Sequence, residues 1–290
     1  MQSRGLASAA SSSHEETEAP HPLFQLGLKV GAVSYLNSKP LVHGVPATRY
    51  GDSLFQLDYP SRLAEGLKTG QYDVALVPSI EYMLGGEQYE IVSNACVAAR
   101  GPVLSVKVYF RKSPGDVKTL LLDEGSRTSA MLTKVILWEK YGVDPVSLPL
   151  PLPSSPWSLP GDAVLVIGDR AMYPPDDSHM KYGPFVETWD LGEEWLEWTG
   201  LPFVFAMWVA RKNAPHLEQL SEILAGVRDL GVAQIPEIIA HEAPHLELKP
   251  ELVERYLTKH LHYQMNSAER HGMQLYFQLA QGYLNRNKVK

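Results

Sequence analysis

Short apolar runs alternate with helix-like segments along most of this chain, and several of the runs end in hydrogen-bonding side chains. "LKVGAVS" (28–34) is small and apolar, the pattern of a strand buried on both faces. It passes directly into Ser34, Tyr35, Asn37, Ser38 and Lys39 before Pro40. "SRLAEGLKTG" (61–70) places Leu63 and Leu67 four apart between a Ser cap and a Gly stop, which predicts a short helix. "YDVALVP" (72–78) reads as the next strand and "SIEYMLGG" (79–86) as another short helix. "YEIVSNACVAA" (89–99) and "VLSVKVYFR" (103–111) read as a pair of longer strands.

A second set follows the turn signal "KSPGD" (112–116). "KTLLLD" (118–123) predicts a strand and "SRTSAMLTKVILWEKYG" (126–142) an amphipathic helix with a Gly stop. The proline-dense stretch 143–160 predicts extended chain or loop. "DAVLVIGDRAMYP" (162–174) reads as a strand, a Gly-Asp turn and a helix start. "DLGEEWLEWTG" (190–200) predicts a helix, "LPFVFAMWVAR" (201–211) a long strand, and 216–284 mostly helix. This alternation predicts an α/β fold with a parallel sheet. The strands at 103–111 and 201–211 bracket a self-contained α/β segment. Two lobes with a ligand cleft between them follow: residues 27–108 plus 204–290 as a discontinuous lobe, and 109–203 as an inserted one.

Composition narrows the function. The chain has 290 residues, 44% of them hydrophobic, enough for one large domain or two smaller ones. A net charge of -7 argues against a nucleic-acid surface but leaves room for a small anionic ligand. Cys96 is the only cysteine, so neither a disulfide framework nor a thiolate metal cluster is expected, and a reduced, cytoplasmic setting fits. Met1–Pro20 is small, polar and then acidic, with no apolar core of signal-peptide length. Residues 1–26 therefore read as a disordered extension, and no apolar run of membrane-spanning length is present.

The polar clusters fall at equivalent places. Ser34, Tyr35 and Asn37 follow the first strand, and Ser79 follows the strand at 72–78. Ser126, Arg127, Thr128 and Ser129 follow 118–123 and open a helix, and Gly168 and Asp169 follow 162–167. Helix N-termini carry free N–H donors and partial positive charge, which suits carboxylates. Any one of these Ser or Thr residues is equally explained as a helix cap. "HEAPH" (241–245) has the spacing of a zinc-protease motif, but Pro244 reads as the end of its helix and no metal site is expected. His260, His262 and His271 read as surface or packing residues. The aromatic group Trp189, Trp195, Trp198, Phe203, Phe205 and Trp208 reads chiefly as packing. "GVPATRYG" (44–51) reads as a turn-rich loop.

In combination, "VGAVSYLNSKPL", "YDVALVPSIEY", "GPVLSVKVYF", "LLDEGSRTSAMLTKVIL", "DAVLVIGDRAM" and "WLEWTGLPFVFAMWVAR" resemble the chorismate dehydratase family of the futalosine route to menaquinone. The resemblance spans about residues 28–285 and leaves the N-terminal extension outside. It implies a type II periplasmic-binding-protein-like fold, two α/β lobes around a cleft. The sister 1,4-dihydroxy-6-naphthoate synthase shares that fold but resembles Ser-Pro-Cys-Pro-Asn-Asp after its first strand, unlike the Ser-Tyr-Leu-Asn-Ser-Lys-Pro here. The implied reaction removes water from chorismate, a dicarboxylate, to give 3-[(1-carboxyvinyl)oxy]benzoate, with no metal or redox cofactor. By resemblance Asn37 and Ser105 lie closest to the reacting ring, and Ser34, Tyr35, Ser79, Ser126, Thr128, Ser129, Gly168 and Asp169 surround the substrate. Arg127 is expected to point away from the cleft, and Asp169 also to tie the Gly168 turn.

Overall fold

The computed structural model describes residues 21–45 and 54–287. The first elements are α1 (Pro22–Gln25), β1 (Val30–Val33), β2 (Phe55–Asp58), α2 (Pro60–Thr69), β3 (Val74–Pro78), α3 (Ser79–Gly85) and β4 (Tyr89–Ala99). The chain then crosses to β5 (Val106–Phe110), β6 (Thr119–Asp123), α4 (Thr128–Tyr141), β7 (Val146–Leu150), β8 (Ala163–Ile167), β9 (Glu187–Asp190) and α5 (Leu191–Thr199). It returns through β10 (Phe203–Arg211), followed by α6 (Leu217–Ala233), α7 (Ile235–His245), α8 (Pro250–Arg255), β11 (Leu261–Gln264) and α9 (Ser267–Asn287).

These strands form two sheets, ordered β11-β4-β10-β3-β1-β2 and β7-β6-β8-β5-β9. The expected all-parallel pairing holds only within β2-β1-β3 and β7-β6-β8. β10 runs antiparallel to both β3 and β4, and β5 antiparallel to β8 and β9. The reason is topological: β10 comes back from the second sheet and enters the first from the opposite end. β2, β9 and β11 are not separable in the sequence, because these four-residue strands mix polar and apolar residues and lack the continuous apolar run that marks β1. β7 lies in the proline-dense stretch and is an exposed edge strand, where proline is tolerated.

Burial follows the sequence pattern. β1, β3 and β8 are buried along their whole length. α2 buries Leu63, Ala64 and Leu67 and stops at Gly70, whose φ of 81° is left-handed. Leu23 of α1 is fully buried, so packed structure begins before residue 26; residues 1–20, and most of the 44–51 loop, lie outside the described residues. Pro244 does not end its helix: α7 runs to His245, and the rings of His241 and His245 stack at 4.7 Å. Glu242 turns to Lys39 instead, 2.8 Å away. Among the described residues no group of three His, Cys, Asp or Glu could hold a metal, and no helix is long and apolar enough to cross a membrane.

Candidate functional site

A cleft of about 530 Å³, counting its opening to solvent, lies between the two sheets. Its floor is apolar, with Val33, Val97, Val103, Val106, Ile167 and Phe205. Polar groups enter from strand ends: Tyr35 and Asn37 after β1, Ser126 to Ser129 at the start of α4, Gly168 after β8, and Ser105 just before β5.

Asn37 sits in a tight helical turn, Leu36–Leu41. Ser38 closes that turn, donating from Oγ to the carbonyls of Val33 and Tyr35. α6 presses on it so closely that a Cβ on Gly231 would come within 2.1 Å of the Pro40 carbonyl oxygen. Lys39 anchors it through Glu242. The result is a rigid platform whose Asn37 Oδ1 is buried without a hydrogen-bond partner.

Ser105 occupies the first crossing between the sheets. Leu104 before it has φ 63°, a left-handed conformation that costs a branched residue about 1–2 kcal/mol. Asp190 holds it there: its carboxylate accepts from the N–H of Val103 and Leu104, and from Gly192 and Glu193 at the start of α5. Burial still pushes the Asp190 carboxyl up, against those four N–H groups. Gly168 N–H donates to the Ser105 carbonyl. Ser105 Oγ is buried and, like Asn37 Oδ1, has no partner.

Tyr35 spans the cleft. Gly168, with φ 71°, lies against its ring, and a Cβ there would fall 2.7 Å from it. A Cβ on Gly125 would fall 2.9 Å from its hydroxyl. Burial, and then Asp123 nearby, push the pKa of this phenol well up, so it stays a neutral donor. Asp123 itself is clamped by Arg170 Nε at 2.9 Å and by the N–H groups of Gly125 and Ile167.

The other named residues divide. Ser126 lines the cleft just before α4, with Oγ accepting from Ala130 N–H. Thr128 Oγ1 accepts from Ile80 N–H, 3.1 Å away, and the Thr128 carbonyl accepts from Tyr276. Ser129 lines the cleft in the first turn of α4, where N–H groups have no intrahelical partner. Ser79 is off the cleft: its fully buried Oγ donates to Val204 O. Ser34 is off it too, half-buried, its N–H bound to Asp58 O. Asp169 faces Leu36, accepting its N–H at 3.0 Å, and burial pushes its carboxyl up to about 6. Arg127 stands at the edge of the cleft, and its guanidinium reaches Glu81 at 3.2 Å and the Ser61 carbonyl, neither of which lines it. Phe205 is the member of the aromatic group that lines the cleft, while Trp195 packs on Trp198 and Phe203.

Sequence reasoning missed Asp190, Asp123 and Tyr256. Asp190 carried a signal, an acidic cap three residues before Glu193. Tyr256 carried none; its buried hydroxyl has no partner.

Comparisons with known proteins agree with this architecture. A protein of Archaeoglobus fulgidus superposes with a TM-score of 0.66 at 17% identity, covering 88% of this chain and 97% of its own. A Candida albicans protein described as having the generic periplasmic binding protein fold gives 0.53 at 13% identity, covering 87% and 89%. These likenesses establish the fold as periplasmic-binding-protein-like. The chorismate dehydratase of Thermus thermophilus is 29% identical over 233 residues, 75% of this chain and 83% of the relative. The sequence model of the family described as Menaquinone biosynthesis matches residues 28–282. With nearly all of the two-sheet structure inside that match, this chain belongs to the menaquinone biosynthesis family.

Proposed function

We propose that this protein is an enzyme, a carbon–oxygen hydro-lyase that converts chorismate to 3-[(1-carboxyvinyl)oxy]benzoate and water. The observation that carries the reading is the pair of buried, unpartnered oxygens, Asn37 Oδ1 and Ser105 Oγ, brought to one cleft from separate segments. Buried polar atoms are nearly always bonded, so two such atoms in a cleft mark where a ligand's polar group belongs. The family match and the Thermus relative supply the substrate.

In this reading the ring C–H pair becomes a new π bond, the neighbouring C–O bond breaks with its pair on oxygen, and the ring becomes aromatic. Asn37 cannot take the proton, because an amide has no useful basicity. Its Oδ1 accepts from the substrate hydroxyl and orients it, and Ser105 donates to the same oxygen as charge develops there. Among the described residues no histidine lines the cleft, and in this reading the base is a substrate carboxylate or a positioned water, with the protein supplying geometry. A substrate carboxylate docks on the first turn of α4, at Ser126 and Ser129. The apolar floor faces the ring. Residues 27–108 with 204–290, and 109–203, act as the lobes that close on it in a cytoplasmic setting.

The test is to incubate purified protein with chorismate and follow products by mass spectrometry. A product lighter by one water, with the enolpyruvyl group retained, is expected. Chorismate that binds tightly and returns unchanged points instead to a binding protein of this fold. A pH–rate profile governed by a histidine, and lost on one His substitution, would overturn the assignment of the base.

A further inference from the structure

Two consecutive residues join the segments that carry the unpartnered oxygens. β8 lies antiparallel to β5, with Ile167 beside Val106. One residue further on, Gly168 N–H donates to the Ser105 carbonyl at 2.9 Å. Gly168 has φ 71° and ψ -157°, a conformation open essentially to glycine alone. Its bare Cα lets the Tyr35 ring lie against it, where a Cβ would fall 2.7 Å from the ring. Asp169, next in the chain, accepts from Leu36 N–H through Oδ1 at 3.0 Å. One dipeptide after β8 therefore grips Ser105 on one side. On the other it grips Tyr35 and Leu36, directly before Asn37.

The bond to Leu36 fills a place that the local sequence leaves empty. The first N–H groups of a helical turn have no partner within it, and a Ser, Thr, Asp or Asn side chain just before the turn commonly supplies one. Tyr35 holds that position before Leu36–Leu41 and makes no side-chain cap bond. Asp169 supplies an acceptor from 133 residues away instead. Asp169 does not itself line the cleft. Its carboxylate is spent on the backbone of the turn rather than on a ligand.

We propose that Asp169 is a positioning residue for the elimination: by capping the 36–41 turn from the second sheet, it fixes where Asn37 stands relative to Ser105. This rests on the dehydratase reading. Asp169 exchanges no proton in the step and acts only through the turn that carries Asn37.

The test compares Asp169→Ala and Asp169→Asn with wild type, in the full-length protein at neutral pH and well below each melting temperature. Asp169→Ala removes the acceptor, and kcat should fall by about tenfold or more with KM changed less than about threefold, the pattern of lost transition-state positioning. Asp169→Asn keeps an acceptor oxygen and should recover most of that rate. In an Asn37→Leu background Asp169→Ala should add less than its separate effect, because it acts through Asn37. If Asp169→Ala does not fold, Asp169→Ser takes its place, with an oxygen one atom too short for the Leu36 N–H. A cap that serves stability alone lowers the melting temperature and leaves kcat within about twofold of wild type, and that result overturns the inference. A raised KM at unchanged kcat overturns it in favour of a direct substrate contact. A folded Asp169→Asn that loses about tenfold or more of kcat overturns it too, as does a fully additive double variant. A wild type that leaves chorismate unchanged removes the dehydratase reading and this inference with it. An active wild type with an equally active Asp169→Ala removes this inference alone.

Discussion

Asn37 and Asp169 sit at the ends of β1 and β8 and do different work. Asn37 keeps an unsatisfied Oδ1 in the cleft. Asn37→Leu preserves volume and removes that polar atom, so folding should survive while turnover falls by at least about 100-fold, read as kcat beside a melting curve. Asp169 ties the second sheet to the Leu36 N–H of the first. Its carboxyl is pushed up from 3.8 to about 6, burial being the cause. The folded protein therefore holds a proton that the unfolded chain has released between those values. The stability from this group is full below pH 3.8 and is lost as pH rises through about 6. Asp169→Asn, which can still accept from Leu36, should flatten that fall by about 2 kcal/mol, measured as stability from pH 4 to 8.

The 36–41 turn shows how a neighbouring element sets the place of Asn37, the side chain proposed to meet the substrate hydroxyl. Ser38 and Pro40 are readable as turn residues, but the turn's position depends on α6, which contributes Gly231 at the contact. Gly231→Ala would drive a methyl into the Pro40 carbonyl, 2.1 Å away, with backbone on both sides. Forcing extra volume there should cost about 1–3 kcal/mol. Turnover should fall with stability, although residue 231 is remote in sequence; a normal melting temperature and normal kcat would show that α6 does not set the turn. The start of α4 illustrates the opposite case: Ser126 is the local cap that its sequence position suggests. Capping does not use up its hydroxyl, because an oxygen that accepts from Ala130 still carries a proton to donate.

Across the whole molecule, several bonds close one sheet's elements on the other's. Arg127 reaches Glu81, Tyr276 donates to the Thr128 carbonyl, and Tyr173 donates to the Leu246 carbonyl. Glu81 is largely buried and its carboxyl is pushed up, burial outweighing Arg127. Arg127→Gln removes the countercharge, so the Glu81 carboxyl should rise further. The resulting loss of stability should be near zero below pH 4.5, where Glu81 is protonated in both states, and grow as pH rises through its folded value. Arg127 is half-exposed, which limits the loss to about 1–2 kcal/mol. KM and kcat should change together, and equal destabilisation at pH 4 and pH 8 would remove Glu81 from the account.

Local pattern determined much of this protein. β4 was readable from end to end, and α2, α4 and α5 within two residues, because period, caps and Gly stops are written in adjacent residues. So was the placement of polar groups after β1, β6 and β8, including Tyr35, Asn37, Ser126 and Gly168 at the cleft. Ser79 was not separable from them, since a Ser after a strand looks the same whether its hydroxyl meets a ligand or the Val204 carbonyl. The tertiary structure alone decided that β10 runs antiparallel, that Arg127 faces Glu81, and that Asp190 holds the turn before Ser105. Strand direction and side-chain partners many residues apart in the chain leave no local period. They are chosen when the returning chain packs, by which buried polar groups find partners and which are left for a ligand.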